Sequence, residues 1–342
     1  MANNFFRPLY LRPGIIIQSK YLIFLFIVFE TILFMKRAVF VTISFLILVV
    51  FIYSFVPARG GFEQTTPIGA PVSALRRYMA TPGNLRQWWP GVFINDSTIS
   101  YKNCRYQIKQ ISLSGLLFTV FSGKDSLQGS LQCQEMDQGK TPLLWNCTLH
   151  YSNNPVSKTN QLLRMSVFKN NIRELTQEVK RFFENPENIY GCKIVRQKVT
   201  DSVLLVTQRS FNHQPATAEL YSIISDLKKY AKKYPVAVTN YPMLNINNAA
   251  SSVFIATVAL PIEKEIPTDP AFMIKKMVLG NILMVEVKGG PGAIAQHRKA
   301  LLQFVNDNHL VSPAMPFASL VTDRAAAPDS TQWITRLYYP VY

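Results

Sequence analysis

The chain has 342 residues, of which 48% are hydrophobic and only 16% charged, and its formal net charge is +16. That length leaves room for two domains beyond any membrane segment. A basic balance suits an anionic membrane surface or nucleic acid, but no helix-turn-helix, zinc-finger or aromatic RNA-binding motif is visible. Membrane lipid is therefore the expected partner and nucleic acid is not; a scattered basic surface with no partner is the plain alternative.

The apolar excess sits at the front. Ala38–Val56 (AVFVTISFLILVVFIYSFV) is 19 residues without a charge, long enough to span a hydrocarbon core. Met35-Lys36-Arg37 precedes it, Pro57 to Gly61 ends it, and no A-x-A cleavage site follows. An uncleaved anchor is expected over 35–61. Residues 1–34 read as an over-extended gene start, because Tyr21–Phe34 is short for a span and Glu30 interrupts it. If they do span, a two-helix hairpin returns the chain to its starting side. With one span, Lys36 and Arg37 stay inside. That places the protein in a bacterial inner membrane, single-pass, with its soluble part facing the periplasm.

Residues 62–188 form the first soluble region. Glu63–Ile68 reads as a strand, and Val72, Leu75, Tyr78 and Met79 as one face of a helix. Pro82-Gly83 breaks that helix, and a short second helix follows over 84–91. Strands are expected near 98–102, 104–110, 115–122, 126–135 and 143–151. Leu162, Met165, Phe168, Ile172, Leu175, Val179 and Phe182 then step by three and four along a long helix, which Asn185-Pro186 stops. Strand, two short helices, curved sheet and long final helix make a helix-grip shape. The stretch TTPIGAPVSALRRYMATPGNLRQWWPG resembles the START-like, polyketide-cyclase (SRPBCC) superfamily, with Leu85 where a Trp is usual. The resemblance implies a deep apolar cavity between sheet and long helix, but no single reaction.

Residues 190–342 read as one unit used twice. In the first copy Val203–Arg209 is a strand, Leu220, Ile223, Ile224, Leu227, Ala231 and Tyr234 line a helix, and Val236–Leu244 and Ser252–Leu260 are strands. In the second, Ile282–Val287 is a strand and Gly289-Gly290-Pro291-Gly292 starts a helix with Ile294, Leu301, Phe304 and Val305 on one face. Phe317–Thr322 and Trp333–Val341 close it. Tyr241-Pro242-Met243-Leu244 matches Met315-Pro316-Phe317 in place. The turn EVKGGPG, the stretch MPFASLVTDR and the closing WITRLYYPV resemble the GyrI-like, effector-binding domain of bacterial multidrug-sensing regulators. That resemblance implies a central groove for small apolar or cationic molecules, and in some members a hydrolase. The whole reads as an α+β chain: an N-terminal transmembrane helix, a helix-grip START-like antiparallel sheet domain, then a duplicated βαββ GyrI-like domain.

Chemistry-bearing motifs are sparse. His150, His213, His297 and His309 show no metal-ligand spacing, and no Gly-x-Ser-x-Gly elbow is present. Neither metal nor cofactor is expected. The GGPG turn before a helix reads as a strand-to-helix connection rather than an anion cradle. Cys133 and Cys147 flank a turn centred near Lys140, which would set them almost opposite each other; they read either as a cross-strand disulfide or as two separate thiols. Glu286, mid-strand, either points into the groove as a desolvated acid/base or is a solvated partner for Arg336. Asp323-Arg324 reads as an internal pair. Tyr241, Phe254, Phe317, Trp333 and Tyr338 join Glu286 as candidate ligand-binding residues, although strands also need aromatics for packing. Three functions follow from this reading. The first is a membrane-anchored binder or sensor of a small hydrophobic or amphipathic ligand with two tandem cavities. The others are a hydrolase or isomerase using a groove carboxylate, and an envelope scaffold.

Overall fold

A computed structural model describes residues 13–55, 59–135, 140–200, 203–250 and 252–342. Helix α1 (Pro13–Phe55) has 43 residues, about 64 Å at 1.5 Å per residue. Within it, Ile27–Phe51 is long and apolar enough to cross a membrane by length and composition, with a mean hydropathy of 2.2. The helix is unbroken, so Tyr21–Phe34 continues into the apolar run with no hairpin turn between. Residues 1–12 of the expected over-extended start, and Val56 at the end of the apolar run, lie outside the described residues.

The chain divides into two compact units, α1 with residues 150–163 in one, and residues 61–149 and 164–342 in the other. In the first unit the Tyr53 hydroxyl donates to the Asn153 carbonyl at 3.1 Å, and the Lys158 ammonium lies 4.4 Å from the Tyr53 ring centre.

The second unit is α+β with two antiparallel sheets. Seven strands form the first: β1 (Arg59–Ile68), β2 (Val92–Asn95), β3 (Thr98–Tyr101), β4 (Cys104–Ser112), β5 (Gly115–Ser122), β6 (Asp125–Cys133) and β7 (Thr141–His150), in the order β1-β7-β6-β5-β4-β3-β2. Helices α2 (Val72–Ala80) and α3 (Leu85–Trp88) follow β1, and α4 (Pro155–Phe183) follows β7. Alternation in β7 buries Thr141, Leu143, Trp145, Cys147 and Leu149, every second residue. On α4 the buried apolar stripe is Phe168, Ile172, Leu175, Val179 and Phe183. The expected stripe was longer and ended one residue earlier: Leu162 is exposed and Phe182 half-buried.

Aromatic rings pack the interior between this sheet and α4, and the space beside them, about 420 Å³ at Trp88, Trp89, Glu178 and Phe182, is open at the surface. Trp89 packs against Tyr106, Phe118 and Trp145 at 5.5–6.0 Å between centroids, and Trp88 against Phe183 at 5.6 Å. A Cβ on Gly129 would lie 2.4 Å from the Phe118 ring, so glycine is what lets that ring lie flat on β6. The Tyr106 hydroxyl donates to the Asn171 side chain from inside. Such edge-to-face contacts add to the large area that each ring buries.

The β6–β7 register corrects the disulfide expectation. Cys133 lies opposite Leu143, and Cys147 opposite Gly129, so the two sulfurs sit four rungs apart. The connection is centred closer to residue 138 than to Lys140, and that offset moves the partners apart. All four thiols are free and buried. Burial alone pushes Cys147 up to about 12 from an ordinary 9.0.

Helix α5 (Pro186–Tyr190) leads into the second sheet. Its strands are β8 (Val195–Lys198), β9 (Val203–Phe211), β10 (Met243–Ala250), β11 (Val253–Pro261), β12 (Met273–Lys276), β13 (Asn281–Lys288), β14 (Phe317–Leu320) and β15 (Ile334–Val341), in the order β12-β9-β11-β10-β14-β15-β13-β8. Helix α6 (Thr217–Ala231) joins β9 to β10, and α7 (Pro291–Asp307) joins β13 to β14. Leu220, Ile223, Ile224, Leu227 and Ala231 of α6 are buried, as the helical spacing predicts. Val236–Leu244 is not the strand that was expected. Pro242, without an N–H, ends a loop there, and β10 runs on through Asn245, Asn247 and Asn248, which pair with Thr257, Ile255 and Phe254.

One buried carboxylate ties the two sheets' helices together. Asp307 at the end of α7 is 8% exposed. It accepts hydrogen bonds from Ser73 (2.9 Å), Arg77 (3.2 and 2.9 Å) and Tyr190 (2.9 Å). Burial works against the charge on Arg77, but the hydrogen bond and field of Asp307, helped by Tyr190, outweigh it and hold Arg77 above its usual range. Burial first, then Asp307, pushes the Tyr190 phenol up.

Two outcomes follow from this packing. Asp307→Ala removes the carboxylate that Ser73, Arg77 and Tyr190 share and lowers unfolding free energy in urea by about 3 kcal/mol; this is the low end for breaking a buried pair, because Arg77 keeps 31% exposure. Cys147 bears on alkaline stability. Its folded value is raised, so its contribution is complete below pH 9.0 and is lost as pH climbs towards about 12, at up to about 1.4 kcal/mol per pH unit. Cys147→Ala should flatten the fall in unfolding free energy measured between pH 9 and 11 by about one proton's worth.

Candidate functional site

Two short rungs join the halves of the second sheet: Met243 opposite Ser319, and Leu244 opposite Ala318. Side chains alternate across a sheet, so each rung serves a different face. Leu244 belongs with Leu205, Val258 and Leu260 in the core under α6. Met243 belongs with Leu204, Val206, Ala259, Met277 and Phe317 in a separate cluster on the opposite face.

Three cavities surround this seam. The largest, about 260 Å³, is lined by Leu301, Leu302 and Arg298 of α7 together with Leu244, Leu337 and Tyr339. A second, about 180 Å³, is lined by Leu204, Val206, Met243, Thr257 and Ala259, with Lys275–Val278 and Met315 at its edge. A third, about 40 Å³, lies among Met243, Ile282, Ser319, Tyr338, Gln197 and Lys198. Phe317 lines all three. Its ring stacks on Tyr338, its cross-strand partner, at 5.0 Å and 22°. Pro242 and Pro316 each precede a central strand, and Pro316 lines the first of these cavities.

The other candidate residues scatter. Tyr241 is exposed just before β10 and lies within the electrostatic reach of Arg336. Phe254 sits at the far end of β11, opposite Phe211 and Asn248, away from the seam. Trp333 is buried in the loop before β15, where its indole N–H donates to the Ala327 carbonyl at 2.8 Å. The buried-acid expectation for Glu286 meets a half-exposed side chain opposite Arg336, which donates to it at 2.9 Å. That hydrogen bond, against some burial and with the fields of Tyr338, Glu286 and Tyr241, raises Arg336 above its ordinary value. The Glu286 side chain lies on a strand face open to water beside β15.

Asp323 and Arg324 do not form the pair expected of them. Asp323 accepts from the Ala325 N–H at 3.0 Å, while Arg324 donates to the Thr335 hydroxyl at 2.9 Å and lies 4.5 Å from the Trp333 ring centre. Burial lowers Arg324, partly offset by Tyr221. Among the described residues no group of three or more His, Cys, Asp or Glu side chains is placed to hold a metal ion. Sequence reasoning missed Met243, Met277 and Arg298 as cavity residues. Met243 carried a usable signal, since it follows Pro242 as Phe317 follows Pro316.

No protein-family model matches the chain, and no curated protein does. Among solved structures, the chain is similar to a cryo-EM structure of the EcmrR–DNA complex, with 14% identity over 54% of this chain and 68% of that one, at a TM-score of 0.40. The crystal structure of the EcmrR C-terminal domain shares 15% identity over 44% of this chain and 98% of that one, at 0.37. SAV2435 bound to tetraphenylphosphonium shares 11% over 44% and 94%, at 0.30. At such scores these likenesses carry no function to this chain.

Glu286→Gln should change unfolding free energy by under about 1 kcal/mol, as for other solvent-facing pairs. Urea titration of the variant checks it; a loss of several kcal/mol would mean that the carboxylate is buried against its partner.

Proposed function

We propose that this chain is a membrane-anchored protein that binds a small hydrophobic or amphipathic molecule at the seam of its second sheet. The observation that carries the reading is the seam itself. A sheet packed on α6 and α7 leaves cavities of about 260 and 180 Å³ on either side of one aromatic pair, Phe317 on Tyr338. Apolar walls with few polar groups are what small-molecule sites need, although known sites are commonly about 300 Å³ or more. The resemblance of EVKGGPG, MPFASLVTDR and WITRLYYPV to effector-binding domains points the same way. The mirrored strand order about the β10–β14 pair fits a duplicated βαββ unit spanning 190–342.

Anchoring is the second part of the proposal. Two frames for the membrane segment overlap: Ile27–Phe51, which has Lys36 and Arg37 near its middle, and the run from Ala38, which has them at its edge. A basic residue at a helix centre costs roughly 2.5–3.5 kcal/mol on insertion, so the second frame is preferred. The positive-inside rule then places Lys36 and Arg37 in the cytoplasm and the soluble part outside.

A hydrolase or isomerase is disfavoured because Glu286 faces solvent and is bonded to Arg336. For the first sheet, a START-like region over 62–188, Tyr106, Phe118 and Trp145 fill the interior, which favours a scaffold role over a deep enclosed cavity; the space of about 420 Å³ beside Trp88 and Trp89 is open at the surface.

Native mass spectrometry of the full chain released from lipid nanodiscs tests the reading. A small molecule should remain bound to the wild type. Phe317→Ala removes a wall common to all three cavities and should weaken retention about tenfold or more, the scale of one buried aromatic side chain. Failure of the wild type to bind any amphipathic molecule would sink the proposal.

A further inference from the structure

We infer that the seam selects amphipathic anions, an apolar chain carrying a single anionic head, over lipophilic cations; this rests on the binding function proposed above. The charge inventory carries the inference. Each of the three cavities has a basic residue in its wall: Arg298 in the largest, Lys198 in the smallest, Lys275 and Lys276 in the third. Among the described residues no aspartate or glutamate lines any of them.

Of these cations, Lys276 is engaged by Glu265 at 2.8 Å. Lys198, Lys275 and Arg298 make no ion pair among the described residues. The strand carboxylate one rung beyond Ser319 and Arg336 is Glu286, and Arg336 already neutralises it at 2.9 Å. Among the described residues, a cation entering the seam therefore meets only like charges, and an anion meets cations that form no ion pair. The apolar part of such a ligand has suitable walls: Met243, Met277 and Met315 are flexible and polarisable, and adapt to a chain of varied shape.

The lysines reach the seam through a strand that the sequence pattern hides. β12 pairs with the edge of β9, Ile274 opposite Leu205 and Lys275 opposite Leu204. Leu204 lines the same cavity as Lys275. The four-residue strand thus carries Lys275 to the rim of an apolar wall, while Lys276, one residue on, alternates to the other face and pairs with Glu265.

The experiment uses the full chain in nanodiscs of zwitterionic lipid and three decyl photoprobes that differ only in head group: carboxylate, trimethylammonium and maltoside. Crosslinks are mapped by peptide mass spectrometry, which separates labelling at the seam from labelling in the lipid. The carboxylate probe should label the peptides around Met277 and Phe317 about tenfold more than the ammonium probe, a difference of about 1.4 kcal/mol. Lys275→Glu combined with Lys198→Glu should abolish or reverse that preference while the maltoside probe labels as before. Equal or stronger labelling by the ammonium probe, or labelling that ignores head-group charge, overturns the anion preference and leaves the binding function standing. Absence of seam labelling by all three probes overturns both.

Discussion

Everything proposed for this chain depends on a contact of two residue pairs. Met243–Ser319 and Leu244–Ala318 are the rungs that hold the two halves of the eight-stranded sheet edge to edge. The core under α6 is continuous from Leu205 to Leu320, whereas the cluster on the other face is small and bordered by cavities. A short seam between two well-packed halves is a natural place for space to remain, because side chains from either half must stop where their own backbone ends.

The same economy of contacts makes Asp307 important. Its carboxylate gathers donors from α2, from Tyr190 and thus from the chain between the two sheets. Buried charge is tolerated only when its hydrogen-bonding capacity is met, and here three different side chains meet it. The Tyr78 hydroxyl adds bonds to the carbonyls of Asn188 and Ile189 at 2.8 and 3.0 Å. Helix α7 therefore contributes at both scales, as a wall of the largest seam cavity through Arg298 and Leu301 and as a tie to α2 through its last residue.

The two sheets solve their interiors differently. Aromatic rings fill the space under α4, where Trp145 and Tyr106 have no exposed surface. At the seam, one ring pair and three methionines leave gaps. Composition alone does not distinguish these outcomes, since both regions carry aromatics on alternating strands. The difference lies in how many strands and helices converge on the same point.

Periodicity was enough to find α4, α6, α7 and most long strands, because burial of one face imposes a repeat that survives in a single sequence; of α1 only the uncharged run from Ala38 was legible, by its apolar length. The order of the elements and the echo of Pro242-Met243 in Pro316-Phe317 were legible for the same reason. Short strands β2, β8 and β12 were not, as four residues are too few to show a period. The polar run Asn245–Asn248 hid β10, since its stability comes from pairing with β11 rather than from its own side chains. Register was decided only in three dimensions: it separated Cys133 from Cys147, set Arg336 opposite Glu286, and sent Phe254 and Trp333 away from the seam. Local pattern records which face of an element is dry; which residues meet across elements depends on pairings between distant segments, and no stretch of sequence contains both partners.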